Sequence, residues 1–231
     1  MPDTPPHDHA RRWWADGERA VADAVDRLTD DELAAPSALP GWSRAHVVAH
    51  VARNADALVN LLTWARTGAE TPMYPSRAVR DADIETTAAL EPAQLRADLA
   101  AAAGRLATAI EEMPAEAWQA TVRNGQGALV VASLVPWMRA KELWVHGTDL
   151  RAGLDFADLP RDLAAALVDD VLALFGSRDQ DLGVTVVATD VDRTWGSGQP
   201  VEGPVAAVVA WLTRGRVEGL RGDVPPPPVW L

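Results

Sequence analysis

The sequence predicts an α+β protein, with an N-terminal antiparallel four-helix bundle followed by a small C-terminal domain of helices and strands. Three observations carry this. Long segments in the first two-thirds repeat apolar residues at helical spacing. Serine, proline and glycine stand where such helices should start and stop. Beyond the bundle the pattern changes, and "GVTVVATD" alternates as a strand does. A chain of 231 residues holds one large domain or two small ones. The change of pattern puts a boundary near residues 153–160, separating 1–155 from 156–231.

The first helix spans about residues 8–28, with Trp13, Val21, Val25 and Leu28 on its apolar side. Ser43 is a natural N-cap for "RAHVVAHVARNADALVNLLTWART", and Gly68 a natural C-terminal stop. A polar stretch with Pro72 and Pro75 follows, and then a long Ala-rich helix with Pro92 in its first turn. Asn-Gly in "TVRNGQGALV" signals a short ribbon or loop. The fourth helix covers about Leu134 to Ala152, and four such helices suit an antiparallel bundle. In the last third, "RDLAAALVDDVLALFG" and "PVAAVVAWLTRG" read as helices. "RTWGSG" could pair with the strand as a hairpin, and "VPPPPVWL" reads as an extended tail.

Composition narrows function. The net charge of −12 argues against nucleic acid, which needs clustered Lys and Arg. Any anionic ligand requires its own local arginines. There are no cysteines, so disulfides, cysteine-based zinc sites and a cysteine nucleophile are excluded, and a thiol needed for chemistry must arrive on a small molecule. The start carries no apolar segment of signal-peptide type, and no apolar run approaches membrane-spanning length; a cytoplasmic protein without a membrane or protein partner is the expectation.

Glu142 and His146 are four residues apart in "WMRAKELWVHGTDL", so on a helix they share one face. That spacing lets both reach one ion, and zinc needs a third protein ligand. The second helix offers His46 and His50, also four apart, with Asn54 continuing the stripe. An E-x-x-x-H pair is equally the pattern of a surface ion pair. Trp137 and Trp144 read as core, and His7 and His9 as solvated. Asp149 could orient a ligand histidine or simply end the helix.

The sequence resembles the mycothiol-dependent maleylpyruvate isomerase family, within the DinB-like group of metal-binding four-helix bundles. The resemblance rests on "LPGWSRAHVVAHVARNADALVNLLTWARTGAETPMY", on "WMRAKELWVHGTDL", and more loosely on an Arg/Gly segment before "PPPPVWL". It implies zinc held by His50, Glu142 and His146, with His46 not a ligand but a site-wall or proton-handling residue, or simply core. It implies mycothiol as the borrowed thiol and a cis–trans isomerisation of maleylpyruvate to fumarylpyruvate by thiolate addition, rotation and elimination. It also implies a functional arginine after the final helix, where "WLTRGRVEGL" offers Arg216, preferred because it follows a glycine, and Arg214. Arg139 is a further candidate, and Asn54, Arg139 and Asp149 are expected to face bound ligand. The same zinc residues would serve a mycothiol S-transferase acting on another electrophile, or a non-catalytic metal-binding bundle.

Overall fold

The computed structural model describes residues 7–230. The chain divides into two compact units, one ending at Leu154 and the other starting at Asp155.

The first unit contains α1 (His7–Arg27), α2 (Asp30–Ala34), α3 (Arg44–Thr67), α4 (Arg77–Ala88), α5 (Pro92–Glu111) and α6 (Val135–Asp149). Four of these, α1, α3, α5 and α6, form the bundle. Ser43 caps α3 as expected: its hydroxyl accepts from the His46 N–H, and the His46 side chain returns a bond to the Ser43 backbone. Gly68 closes the helix at φ 72°, a left-handed conformation that a side chain would strain. Leu, Val and Ala side chains on α3 are buried on nearly all sides, so α3 is the central helix.

The helices do not simply alternate in direction. Arg53, Arg105 and Arg66 pair with Asp98, Asp56 and Glu112 in rising order, so α3 and α5 run parallel. Trp13 meets Trp137 and Gly17 meets Leu143, so α1 and α6 also run parallel. By contrast α3 and α6 are antiparallel: Asn54 meets Arg139 early in α6, while His50 meets Glu142 and His146 later in it. A parallel α3–α5 pair needs the chain to travel back along the bundle, and α4 does this. Asn60 of α3 donates to the Pro72 and Met73 carbonyls, His50 meets Arg80, and His46 meets Glu85. From the sequence this reads only as a polar stretch, because α4 is short, mostly polar and buries just Ile84 and Thr87. Its start is fixed by Ser76, whose hydroxyl accepts from the Val79 N–H.

Between α5 and α6 lies the expected ribbon, β1 (Thr121–Arg123) paired antiparallel with β2 (Leu129–Val131). The second unit contains α7 (Arg161–Ser177), β3 (Val184–Ala188), β4 (Arg193–Gly196), β5 (Gln199–Gly203) and α8 (Val205–Arg214). The expected hairpin is present as the antiparallel β3–β4 pair. A third strand, β5, pairs parallel on the other side of β3, giving the order β4-β3-β5. To reach that side the chain crosses the end of β3 at Gly198, where an added Cβ would lie 2.1 Å from the Gly183 carbonyl oxygen. Pro200 is tolerated because β5 is an edge strand of this sheet. The tail is extended, as expected, and is held where Trp211 donates to the Pro225 carbonyl. Among the described residues no helix is long and apolar enough to cross a membrane.

Candidate metal centre

The antiparallel crossing of α3 and α6 brings together the only group of three metal-ligating side chains found among the described residues, namely His50, Glu142 and His146. One ligand atom from each lies within 4.8 Å of the others. The geometry centres on one carboxylate oxygen: Glu142 Oε2 is 2.9 Å from His50 Nε2 and 3.4 Å from His146 Nε2. The two imidazoles stand edge to face, with centroids 4.5 Å apart and planes at 78°. Donors on a tetrahedral zinc are about 3.3 Å apart, given bonds of about 2.0–2.1 Å. The three side chains therefore fit such an ion without a change of backbone.

The protonation states also suit a metal. Burial lowers the His50 pKa, assisted by the neighbouring His146 charge and only partly opposed by Glu142. Burial works against ionisation of Glu142, yet hydrogen bonds from His146 and His50, and their charge, hold its carboxyl well below the usual range. Neutral imidazole and ionised carboxylate are the forms that bind a cation. The Nδ1 of His146 lies 2.9 Å from Asp149 Oδ2, and Asp149 is 1% exposed. A carboxylate accepting from Nδ1–H keeps the Nε2 lone pair directed at the cluster.

The other residues singled out by the sequence take different positions. His46, one turn before His50, points elsewhere: its Nδ1 is 2.7 Å from Ser43 Oγ and its Nε2 is 3.1 Å from Glu85. It stays next to the cluster through Trp42, whose ring is 6.2 Å from that of His46 and 5.6 Å from that of His50. Arg139 is fully buried. It donates through Nε and Nη2 to Glu18, and through Nη1 to the Val51 carbonyl and to Asn54 Oδ1. Arg139 and Asn54 thus tie α6 to α1 and α3 inside the bundle, with their polar atoms directed at one another. Arg214 and Arg216 belong to the second unit. Arg214 ends α8, with its guanidinium 5.8 Å from the Trp230 ring centroid. Arg216 follows Gly215, is about half exposed, and lies 3.4 Å from Asp155 and over the Phe156 ring. His9 is exposed on α1, and the side chain of His7 lies outside the described set.

Two residues at the cluster were not legible in the sequence. Arg80 Nη2 donates to His50 Nδ1 at 3.3 Å, and its guanidinium lies 5.8 Å from the Tyr74 ring centroid. Burial, then the Glu142 charge, raise the Tyr74 pKa to about 12. Both residues come from the mostly polar segment that packs back along α3.

The family model of the mycothiol maleylpyruvate isomerase N-terminal domain matches residues 14–151. The crystal structure of a mycothiol-dependent maleylpyruvate isomerase matches at 32% sequence identity and a TM-score of 0.92, covering 97% of each chain. The chain belongs to the mycothiol-dependent maleylpyruvate isomerase family. It is an isomerase-like enzyme with the four-helix bundle of that family. A histidine-to-alanine mutant of that isomerase matches almost equally, at 31% identity and a TM-score of 0.92 over 97% of each chain. No curated protein matches by sequence at a significant level.

Proposed function

We propose that the chain is a zinc- and mycothiol-dependent isomerase that converts maleylpyruvate to fumarylpyruvate in the cytoplasm, with His50, Glu142 and His146 as the metal ligands. The observation that carries this reading is the convergence of these three side chains within 4.8 Å, in a chain matched over 97% of its length by an isomerase of that name. When bound, the ion lowers the pKa of a thiol, and mycothiol supplies the sulfur that this cysteine-free chain lacks, so that a conjugated cis double bond can become single, turn and re-form.

The chain's own residues have separable tasks. Glu142 contributes the negative charge of the ligand set, and the two imidazoles leave that set at −1 overall. Asp149 keeps the His146 proton on Nδ1. Arg139 and Asn54 fix the register of α3 against α6 and so hold His50 opposite Glu142. His46, bonded to Ser43 and Glu85, serves as a wall or proton-handling residue next to the cluster. Arg216, with Arg214 as the alternative, serves a substrate carboxylate, and residues 156–231 form the domain that carries it.

The test uses purified protein, its metal content and its turnover. About one divalent ion per chain is expected, falling sharply in His50→Ala, Glu142→Ala and His146→Ala. Maleylpyruvate should isomerise only when mycothiol is added. Full occupancy in all three variants, or equal turnover in thiol-free buffer, would overturn the reading.

A further inference from the structure

Arg80 is the cation that touches the cluster, and neither the sequence pattern nor the ligand set accounts for it. It lies in the first turn of α4, with about a quarter of its side chain exposed. One edge faces inward, with Nη2 3.3 Å from His50 Nδ1, and the group sits 5.8 Å from the Tyr74 ring centroid. The other edge faces outward, with Nη1 2.8 Å from Asp81, a half-exposed carboxylate. Such an exposed pair holds an arginine only weakly. α4 is the polar helix that carries the chain back along α3, and that return path is what sets Arg80 beside His50.

We propose that Arg80 is a substrate-binding residue that grips a carboxylate of the substrate beside the metal cluster. This rests on the function proposed above. In this structure the inner edge of a delocalised cation is spent on a neutral imidazole nitrogen, a far weaker acceptor than a carboxylate. That contact also cannot persist in the working arrangement. A neutral His50 that gives its Nε2 lone pair to a ligated ion carries its hydrogen on Nδ1, and Arg80 would then set donor against donor. The guanidinium must then release His50, which frees its N–H groups for another acceptor beside the cluster. The chain bears a net charge of −12, so a dianionic substrate gains nothing from long-range attraction and depends on such a local cation. Tyr74, neutral and largely buried, lies beside the guanidinium and offers it no negative charge to hold it in place.

The test uses the zinc-loaded full chain, with maleate, a cis-dicarboxylate that lacks the reacting ketone, as the probe in calorimetry. Arg80→Gln should weaken maleate binding and raise the KM for maleylpyruvate by roughly 10- to 100-fold, the range for loss of a charge-assisted contact. Arg80→Lys should recover part of that loss. Arg77→Ala, on the exposed side of the same helix, should change neither quantity. Zinc content by elemental analysis should stay at the wild-type level in all three. If Arg80→Gln and Arg80→Lys bind maleate as wild type does, or if wild type shows no measurable maleate binding, the proposal fails. It fails equally if binding falls only in step with zinc content, since Arg80 would then merely support His50. The two readings part cleanly. Wild type that binds maleate through Arg80 but does not isomerise maleylpyruvate sinks the proposed reaction and keeps the anion site. Wild type that isomerises, with Arg80 variants unchanged, sinks only the anion site.

Discussion

At the scale of single residues, the cluster depends on groups beyond its three ligands. Asp149 is buried and bonded to His146 Nδ1, so it sets which imidazole nitrogen is left to coordinate. Asp149→Asn keeps the shape but loses the charge, and divalent-metal affinity should drop roughly 10- to 100-fold, as measured by chelator competition. Unchanged affinity would show that Asp149 only ends its helix. Tyr74 gives a second test, because it is the one tyrosine in the chain. Its folded-state pKa is raised from 10.0 to about 12 by burial first and by the Glu142 charge second. Between those values the unfolded chain loses a proton that the folded chain keeps, so stability contributed below pH 10.0 drains away as the pH rises toward about 12. In metal-free protein, tyrosinate absorbance should titrate near pH 12, and wild type should lose about 2–3 kcal/mol across this window that Tyr74→Phe does not lose. A tyrosinate midpoint at 10 in folded protein would refute it.

At the scale of elements, the decisive relation is how α6 lies between α1 and α3. The buried Arg139 joins all three through Glu18, Asn54 and the Val51 carbonyl, and a buried charge held this way is costly to strand. On the α1 side the helices approach closely at Gly17. A Cβ there would lie 3.0 Å from Trp144 Nε1 and 3.1 Å from Leu143 Cβ. The indole cannot easily yield, because it donates to the Trp13 carbonyl at 2.8 Å. Gly17→Ala gains up to about 1 kcal/mol of helix propensity but overpacks the contact at a cost of about 1–3 kcal/mol. A net loss of about 1 kcal/mol is expected, read as a lower denaturant midpoint with an unchanged slope. A raised midpoint would mean that the contact opens without cost.

At the scale of the whole molecule, binding a cation to the folded bundle alone should couple stability to occupancy. An ion at about a thousand times its dissociation constant adds about 4 kcal/mol, which for a chain of this size raises Tm by about 8–16 °C. Chelation should reverse that shift in wild type and leave His50→Ala unmoved; an identical response in both would place the ion elsewhere. The sequence by itself determined what one helix can encode. A period of 3.6 puts Glu142 and His146 on one face, puts His46, His50 and Asn54 in one stripe, and marks the capped ends of α3. Periodicity reports a face relative to its own axis, and not the neighbour that will cover it. Only the tertiary structure therefore decided that His50 meets Glu142 while His46 turns to Ser43 and Glu85. It also decided that Arg139 is spent inside the bundle. The placement of Arg80 was hidden most completely, because α4 is a short, mostly polar helix, and nothing in its own pattern says that it packs back along α3 and sets Arg80 beside His50.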